Sequence, residues 1–155
     1  MILAGLPAAG KTTFYQSRFA STHRHISKDL RPNATGREAR QRRDIDEALA
    51  SGASVVVDNT HPTAAGRRAI VALARARGAR VVCYFFDVTT REAVARNAGR
   101  SGAAKVPNVA IFTVAKHFEA PTLSEGYDQL FRLTLAPDRS FTITAVTGET
   151  RTDDA

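Results

Sequence analysis

Residues 5 to 12, GLPAAGKT, leave few folds open. The spacing G-x-x-x-x-G-K-T lets successive backbone N–H groups wrap the α- and β-phosphates of a nucleotide, while the dipole of the helix that follows adds a favourable field. The octet is bracketed by apolar MILA and by TTFYQSRF, whose pattern is helical, so a strand, a glycine loop and a helix follow one another. This context argues against a plain strand-to-helix turn. Gly5, Ala8, Ala9, Gly10, Lys11, Thr12 and Thr13 are the expected nucleotide-binding residues, with ATP as the nucleotide. Lys11 is expected to reach the β- and γ-phosphates and Thr12 to offer its hydroxyl to Mg²⁺.

The rest of the chain repeats the alternation. RHIS precedes a helix expected over 35–50, SVVVD one over 63–77, and ARVVCYFF two more over 90–98 and 108–117. LFRLTL and SFTITAV then follow, separated by APDR, and read as a hairpin at an edge of the sheet. Short apolar runs alternating with helices predict an α/β fold with a mainly parallel, helix-flanked sheet. The expected class is a P-loop NTPase, nucleotide-kinase-like, ending in a C-terminal β-hairpin. One domain is expected over 1–147 and a flexible tail over 148–155, GETRTDDA. The first strand has only three or four residues, which leaves the completeness of the start open.

Composition excludes several classes. No apolar run approaches the length of a membrane span, and no signal-peptide pattern is present, so a cytoplasmic protein without a membrane partner is expected. The one cysteine, Cys83, rules out a disulfide within the chain. Its place inside VVCYFF predicts a buried, inert thiol rather than a nucleophile, a metal ligand or a disulfide to a partner. The four histidines show no zinc spacing, and His61 reads as a loop residue. The formal net charge of +7, carried mostly by arginines, fits either an anionic partner or a solvated basic surface.

Ligands of open α/β sheets collect at the carboxyl ends of the strands, where candidate chemistry is found. Asp29 follows RHIS; it is either a turn or cap residue or the base that takes the proton of an acceptor hydroxyl. Asp58 ends SVVV and has three readings: orienting Mg²⁺ or its waters, positioning the acceptor, or capping the next helix. Arg96 and Arg100 stand four apart, so one helix would present both on one face, as lid arginines or as an exposed basic surface. Arg31, Arg37, Arg40, Arg42 and Arg43 form either a basic wall over the acceptor or a solvated face, with Arg31 and Arg40 the candidate substrate contacts. The chain has no tryptophan, so recognition is expected to rest on phosphates rather than stacked bases.

With GLPAAGKTTF, HISKD, VVVDNTHP, RNAGR, KVP and FEAPTLSEGYD in hand, the chain resembles the kinase domain of the polynucleotide 5′-hydroxyl kinase family from Met1 to about Val146. The resemblance implies ATP- and Mg²⁺-dependent phosphorylation of a DNA or RNA 5′-hydroxyl end. It gives Lys11 and Thr12 as the ATP and metal contacts, Asp29 as general base, and Arg96 and Arg100 as lid arginines. It also offers Phe118 and Pro121 in FEAPTLSEGYD as candidates for adenine. Two positions depart from the pattern: Lys28 stands where arginine usually precedes the base, and Pro32 where phage-type members carry an arginine for the acceptor's phosphate. Arg31 is the candidate substitute. No phosphatase, ligase or fork-head-associated module accompanies the domain, so 3′-end processing is expected of separate proteins. Two other functions fit the same residues: a kinase acting on a small-molecule hydroxyl, and a non-catalytic ATP-binding module.

Overall fold

A computed structural model describes residues 1–148. The tail expected at 148–155 lies, apart from Gly148, outside the described residues. Strands β1 (Ile2–Gly5), β2 (Arg24–Ile26), β3 (Val55–Asp58), β4 (Val82–Phe86), β5 (Gln129–Leu135) and β6 (Phe141–Ala145) form one sheet in the order β2-β3-β1-β4-β5-β6. All neighbouring pairs are parallel except β5 with β6, which close as an antiparallel hairpin at the sheet's edge. Helices α1 (Lys11–Arg18), α2 (Arg37–Ala50), α3 (Ala64–Ala76), α4 (Thr90–Ala98) and α5 (Asn108–His117) fill the connections.

The inner strands β1, β3 and β4 are near-continuous apolar runs because both faces are covered, and successive side chains alternate between two cores. On one face Ile2, Ala4, Val55, Val57 and Cys83 pack with Ile45 of α2 and Ile70 and Val71 of α3. On the other, Leu3, Val56 and Phe86 pack with Phe14 of α1, Ala93 of α4 and Ile111 of α5. Burial pushes the Cys83 thiol up to about 12, so it is an inert core residue, as its apolar setting predicts.

Local chemistry sets the helix starts. The Thr89 hydroxyl accepts from the Glu92 amide while Glu92 reaches back to Thr89, a capping box that opens α4. Thr63 accepts from the Gly66 amide and opens α3. Helix α2 begins at Arg37 rather than at 35, because Gly36 takes a left-handed φ of 63° that no helix interior allows. β1 lies at the centre of the sheet, so the loop that leaves its carboxyl end sits over the middle of the molecule.

Candidate active site

The glycine loop connects β1 to α1, and its shape explains its composition. A Cβ on Gly5 would lie 2.8 Å from the Phe86 Cβ of the adjacent strand, and one on Gly10 would lie 2.7 Å from an Arg96 guanidinium nitrogen. Gly10 also carries a φ of 100°, and Ala8 adopts a left-handed φ of 63°, the turn that lets the loop fold back over the helix. Helix α1 starts with no side-chain cap and no acidic residue in its first turn. Among the described residues its leading amides have no partner, which is the arrangement that takes an anionic phosphate.

Lys11 is buried and donates to the Gly5 and Leu6 carbonyls at 3.0 and 2.6 Å, so its ammonium is held at the mouth of the loop rather than projecting from it. A buried ammonium needs acceptors, and the loop supplies them. Burial draws its pKa down to about 8; Asp58 opposes this, Arg100 adds to it, and Asp29 opposes it. The phosphate loop, both candidate carboxylates and Arg100 thus share a single electrostatic neighbourhood.

At the end of β3, Asp58 is buried and its Oδ2 accepts from the Thr12 hydroxyl at 2.7 Å. The same oxygen lies 2.9 Å from His25 Nε2. His25 is stacked on Tyr15 with ring centroids 4.2 Å apart, and the Tyr15 hydroxyl donates to the His23 carbonyl, so β2 and α1 together fix the imidazole. Since Thr63 caps α3, the helix-cap reading of Asp58 is overturned. Thr12 and Asp58 are hard oxygen donors side by side, and they fit an Mg²⁺ that takes few protein ligands and keeps water and phosphate oxygens. Among the described residues no cluster of three His, Cys, Asp or Glu side chains could hold a metal by itself.

Asp29 lies on a one-turn 3-10 helix, Lys28–Leu30, opened by Ser27, whose hydroxyl accepts from the Asp29 amide. Its carboxylate is exposed and lines a cleft of about 370 Å³ with Lys28, Arg37, Asn59 and His61. The floor is a chain of polar contacts: the Lys28 amide donates to Asn59 Oδ1 at 2.9 Å, and Asn59 Nδ2 donates to Gln41 Oε1 at 2.6 Å. Asn59 Nδ2 also points at His61 Nε2, and His61 Nδ1 donates to the Leu3 carbonyl at 2.6 Å. Lys28 pairs with Glu38. Asn59, Gln41 and His25 have no place in the sequence reading; Asn59 and His25 stand inside the quoted VVVDNTHP and HISKD pieces, but Gln41, which Asn59 donates to, is 18 residues away and Asp58, which His25 meets, is 33.

Arg96 packs directly on the loop, with Nε donating to the Ala8 carbonyl at 3.1 Å and the guanidinium 5.6 Å from the Phe141 ring centroid. Burial, then Arg100 and Arg139, lower its pKa. The expectation that one helix presents Arg96 and Arg100 together needs correction: α4 stops at Ala98, capped by Gly99, and Arg100 stands beyond it, donating to the Ala104 carbonyl. Of the arginines before β3, Arg31, Arg37 and Arg40 line a second cleft, whereas Arg42 and Arg43 are exposed on α2 and line neither, with Arg43 beside Glu47. The adenine candidates are engaged in packing: Phe118 stacks on Phe85 beneath Arg67, and Pro121 is buried.

With this geometry in view, the profile of one protein family matches residues 1–121, with the description AAA domain. The chain belongs to that family, AAA_33. The bifunctional polynucleotide phosphatase/kinase of Schizosaccharomyces pombe is 24% identical over 131 residues, covering 82% of this chain and 31% of its own length. This chain thus spans about a third of that relative. Chaetomium thermophilum Kti12, solved with ADP-AlF3, superposes with a TM-score of 0.63 at 18% identity over 89% of this chain and 91% of that one. A gluconokinase from Sinorhizobium meliloti 1021 gives 0.61 at 19% identity, covering 87% and 81%. The fold is that of the P-loop kinases. No helix among the described residues is long and apolar enough to cross a membrane.

Proposed function

We propose that this domain transfers the γ-phosphoryl group of ATP to the 5′-hydroxyl end of a polynucleotide. The observation that carries the reading is the placement of Asp29: a carboxylate in an open cleft beside the phosphate loop, close enough to act on the Lys11 charge, with Lys28 and Arg37 in the same wall. The phosphates of ATP lie on the free amides of α1, with Lys11 exchanging its loop carbonyls for phosphate oxygens. Thr12 and Asp58 would hold Mg²⁺, which when bound would neutralise charge on the transferring phosphates. Asp29 accepts the proton of the 5′-hydroxyl as the oxygen attacks phosphorus; the phosphoryl group passes to that oxygen and ADP leaves. Arg96, anchored on Ala8, and Arg100, whose charge is felt at Lys11, offset the charge of the transferring group. Catalysis on this account is positioning and electrostatics. The yeast relative, whose name includes a polynucleotide kinase activity, supports this acceptor class.

A second reading rests on a specific likeness: the gluconokinase is matched over most of its length, and the 370 Å³ Asp29 cleft is within the range that holds a small-molecule acceptor. Transfer of labelled γ-phosphate to 5′-hydroxyl DNA and RNA oligonucleotides, run beside gluconate and nucleosides, separates the two. The expected result is a labelled oligonucleotide, with Asp29→Asn lowering turnover about 100-fold or more while ATP affinity stays within about twofold. Label on the small acceptors alone would replace the first reading by the second. ATP binding with no acceptor-dependent ADP release would leave neither.

A further inference from the structure

Asp58 ends β3 with its two carboxylate oxygens in different circumstances. Oδ2 takes two donors, the Thr12 hydroxyl at 2.7 Å and His25 Nε2 at 2.9 Å, whereas Oδ1 makes no hydrogen bond among the described residues. A carboxylate only accepts, so Nε2 carries a hydrogen and the ring acts as a donor. The terminal torsion of an aspartate is broad, with no staggered well to fix the plane of the two oxygens. Fixing that plane is left to the donors. The Asp58 side chain is only 4% exposed, so bulk water does not simply replace a donor that is lost.

The two donors are not equivalent. Thr12 is itself one of the side chains that fit Mg²⁺, so its hydroxyl has to turn a lone pair to the ion and cannot hold Asp58 independently of it. His25 can. Its backbone is in register with Val56 across β2 and β3, and its ring lies on that of Tyr15, with 4.2 Å between centroids and 12° between planes. Tyr15 follows Thr12 by one turn of α1 and is anchored through its hydroxyl on the His23 carbonyl. The contacts close a ring from Thr12 to Asp58, to His25, to Tyr15 and back along α1.

From this geometry we infer that His25 is a positioning residue of the metal site: it holds Oδ2 of Asp58 so that Oδ1 stays free to meet the ion or one of its waters, and it acts through Asp58 alone. The inference rests on the placement of ATP and Mg²⁺ proposed above and is independent of which acceptor is phosphorylated.

The test is calorimetric titration of a non-hydrolysable ATP analogue, AMP-PNP, into the full chain, once with excess Mg²⁺ and once with EDTA. The ratio of the two dissociation constants isolates what the metal adds. His25→Phe keeps a ring against Tyr15 and removes the donor. His25→Gln carries an amide N–H out to where Nε2 stands and His25→Asn stops short of it, so this pair repeats the comparison if the phenylalanine variant does not fold. His25→Phe and His25→Asn are expected to cut the gain from Mg²⁺ about tenfold and to leave the metal-free affinity within about twofold of wild type, with His25→Gln recovering most of the loss. A histidine that only packs would weaken both affinities together or neither, and would not distinguish glutamine from asparagine. Full retention of the Mg²⁺ gain in His25→Phe and His25→Asn, or equal losses with and without the metal, would overturn the inference and leave the proposed function standing. A wild type that binds the analogue no better with Mg²⁺ than with EDTA would remove the metal site and the inference with it, a result separate from the labelled-phosphate assay that decides the acceptor.

Discussion

His61 shows how much one residue can hold that its sequence neighbours do not reveal. Read in sequence it is a loop histidine after a strand; in the structure it is buried, with a left-handed φ of 46° and its Nδ1–H on the Leu3 carbonyl. A carbonyl can only accept, so the neutral ring carries its proton on Nδ1 and turns the bare Nε2 towards the Asn59 amide. Burial is the main reason its pKa falls to about 4, with Lys28 and Lys11 adding to the shift. The unfolded imidazole takes up a proton near pH 6.5 while the folded one resists until about 4, so stability is full above 6.5 and declines as pH falls through that window. The contribution is on the order of 3 kcal/mol. Urea unfolding between pH 7 and 4 is expected to show this decline in the wild type and a shallower one in His61→Gln. Parallel curves would mean that the ring takes up its proton as readily in the fold as in the unfolded chain. The sequence could not supply this reading, because Leu3 is 58 residues away and the match depends on β1 and β3 lying side by side.

Among the elements, the segment 118–128 illustrates a motif legible as a signature and opaque as to purpose. FEAPTLSEGYD is conspicuous in the sequence, and Phe118 and Pro121 stand in it as candidates for adenine. Its centre is in fact a clamp. Arg67 of α3 is fully buried and makes two 2.8 Å bonds to Glu125, while its third nitrogen donates to the His61 carbonyl. The Tyr127 hydroxyl donates to the same carboxylate at 2.7 Å. Burial alone would raise the Glu125 pKa, but the bonds from Arg67 and Tyr127 bring it below the ordinary carboxylate range. The clamp ties 118–128 to the loop that carries Asn59 and His61, and so to the floor of the Asp29 cleft. Removing one partner leaves an uncompensated charge in the core. Glu125→Leu is expected to cost about 3–5 kcal/mol in chemical denaturation, and Arg67→Met with Glu125→Leu to recover a good part of it. Equal losses in the single and double variants would show that the lost bonds to His61 and Tyr127, rather than the stranded guanidinium, set the cost. The starts of α3 and α4 fall within a residue of the expected ones and have local causes, Thr63 and Thr89 with Glu92, whereas the Gly36 turn moves the start of α2 from the expected 35 to Arg37. Arg100 was misplaced because the spacing of four from Arg96 was followed past the helix end expected at 98, where Gly99 caps α4.

At the scale of the molecule, the alternation of apolar runs and helices dictates the layers, since each strand must be covered on both faces, and the chain obeys it through β5. The strand order was not legible. Nothing in MIL or SVVVD says that β1 lies between β3 and β4, yet this order is what brings Thr12 to Asp58 and Phe86 against Gly5. It also gathers Lys11, Asp29, Asp58 and Arg100 into one field, so nucleotide binding should be felt by the whole fold. A ligand present at 100 times its Kd adds about 2.7 kcal/mol to stability, which for a chain of this size raises the melting temperature by roughly 5–10 °C. ATP with Mg²⁺ is expected to produce a rise of this order in a thermal melt. Lys11→Met should lose most of it, and Thr12→Val the part that depends on Mg²⁺. The sign with pH follows from the buried ammonium: in the free protein Lys11 gives up its proton through about pH 8, so the shift is largest below 8 and shrinks above it. A shift that Lys11→Met leaves intact, or that grows as pH rises past 8, would place the nucleotide somewhere other than on this loop.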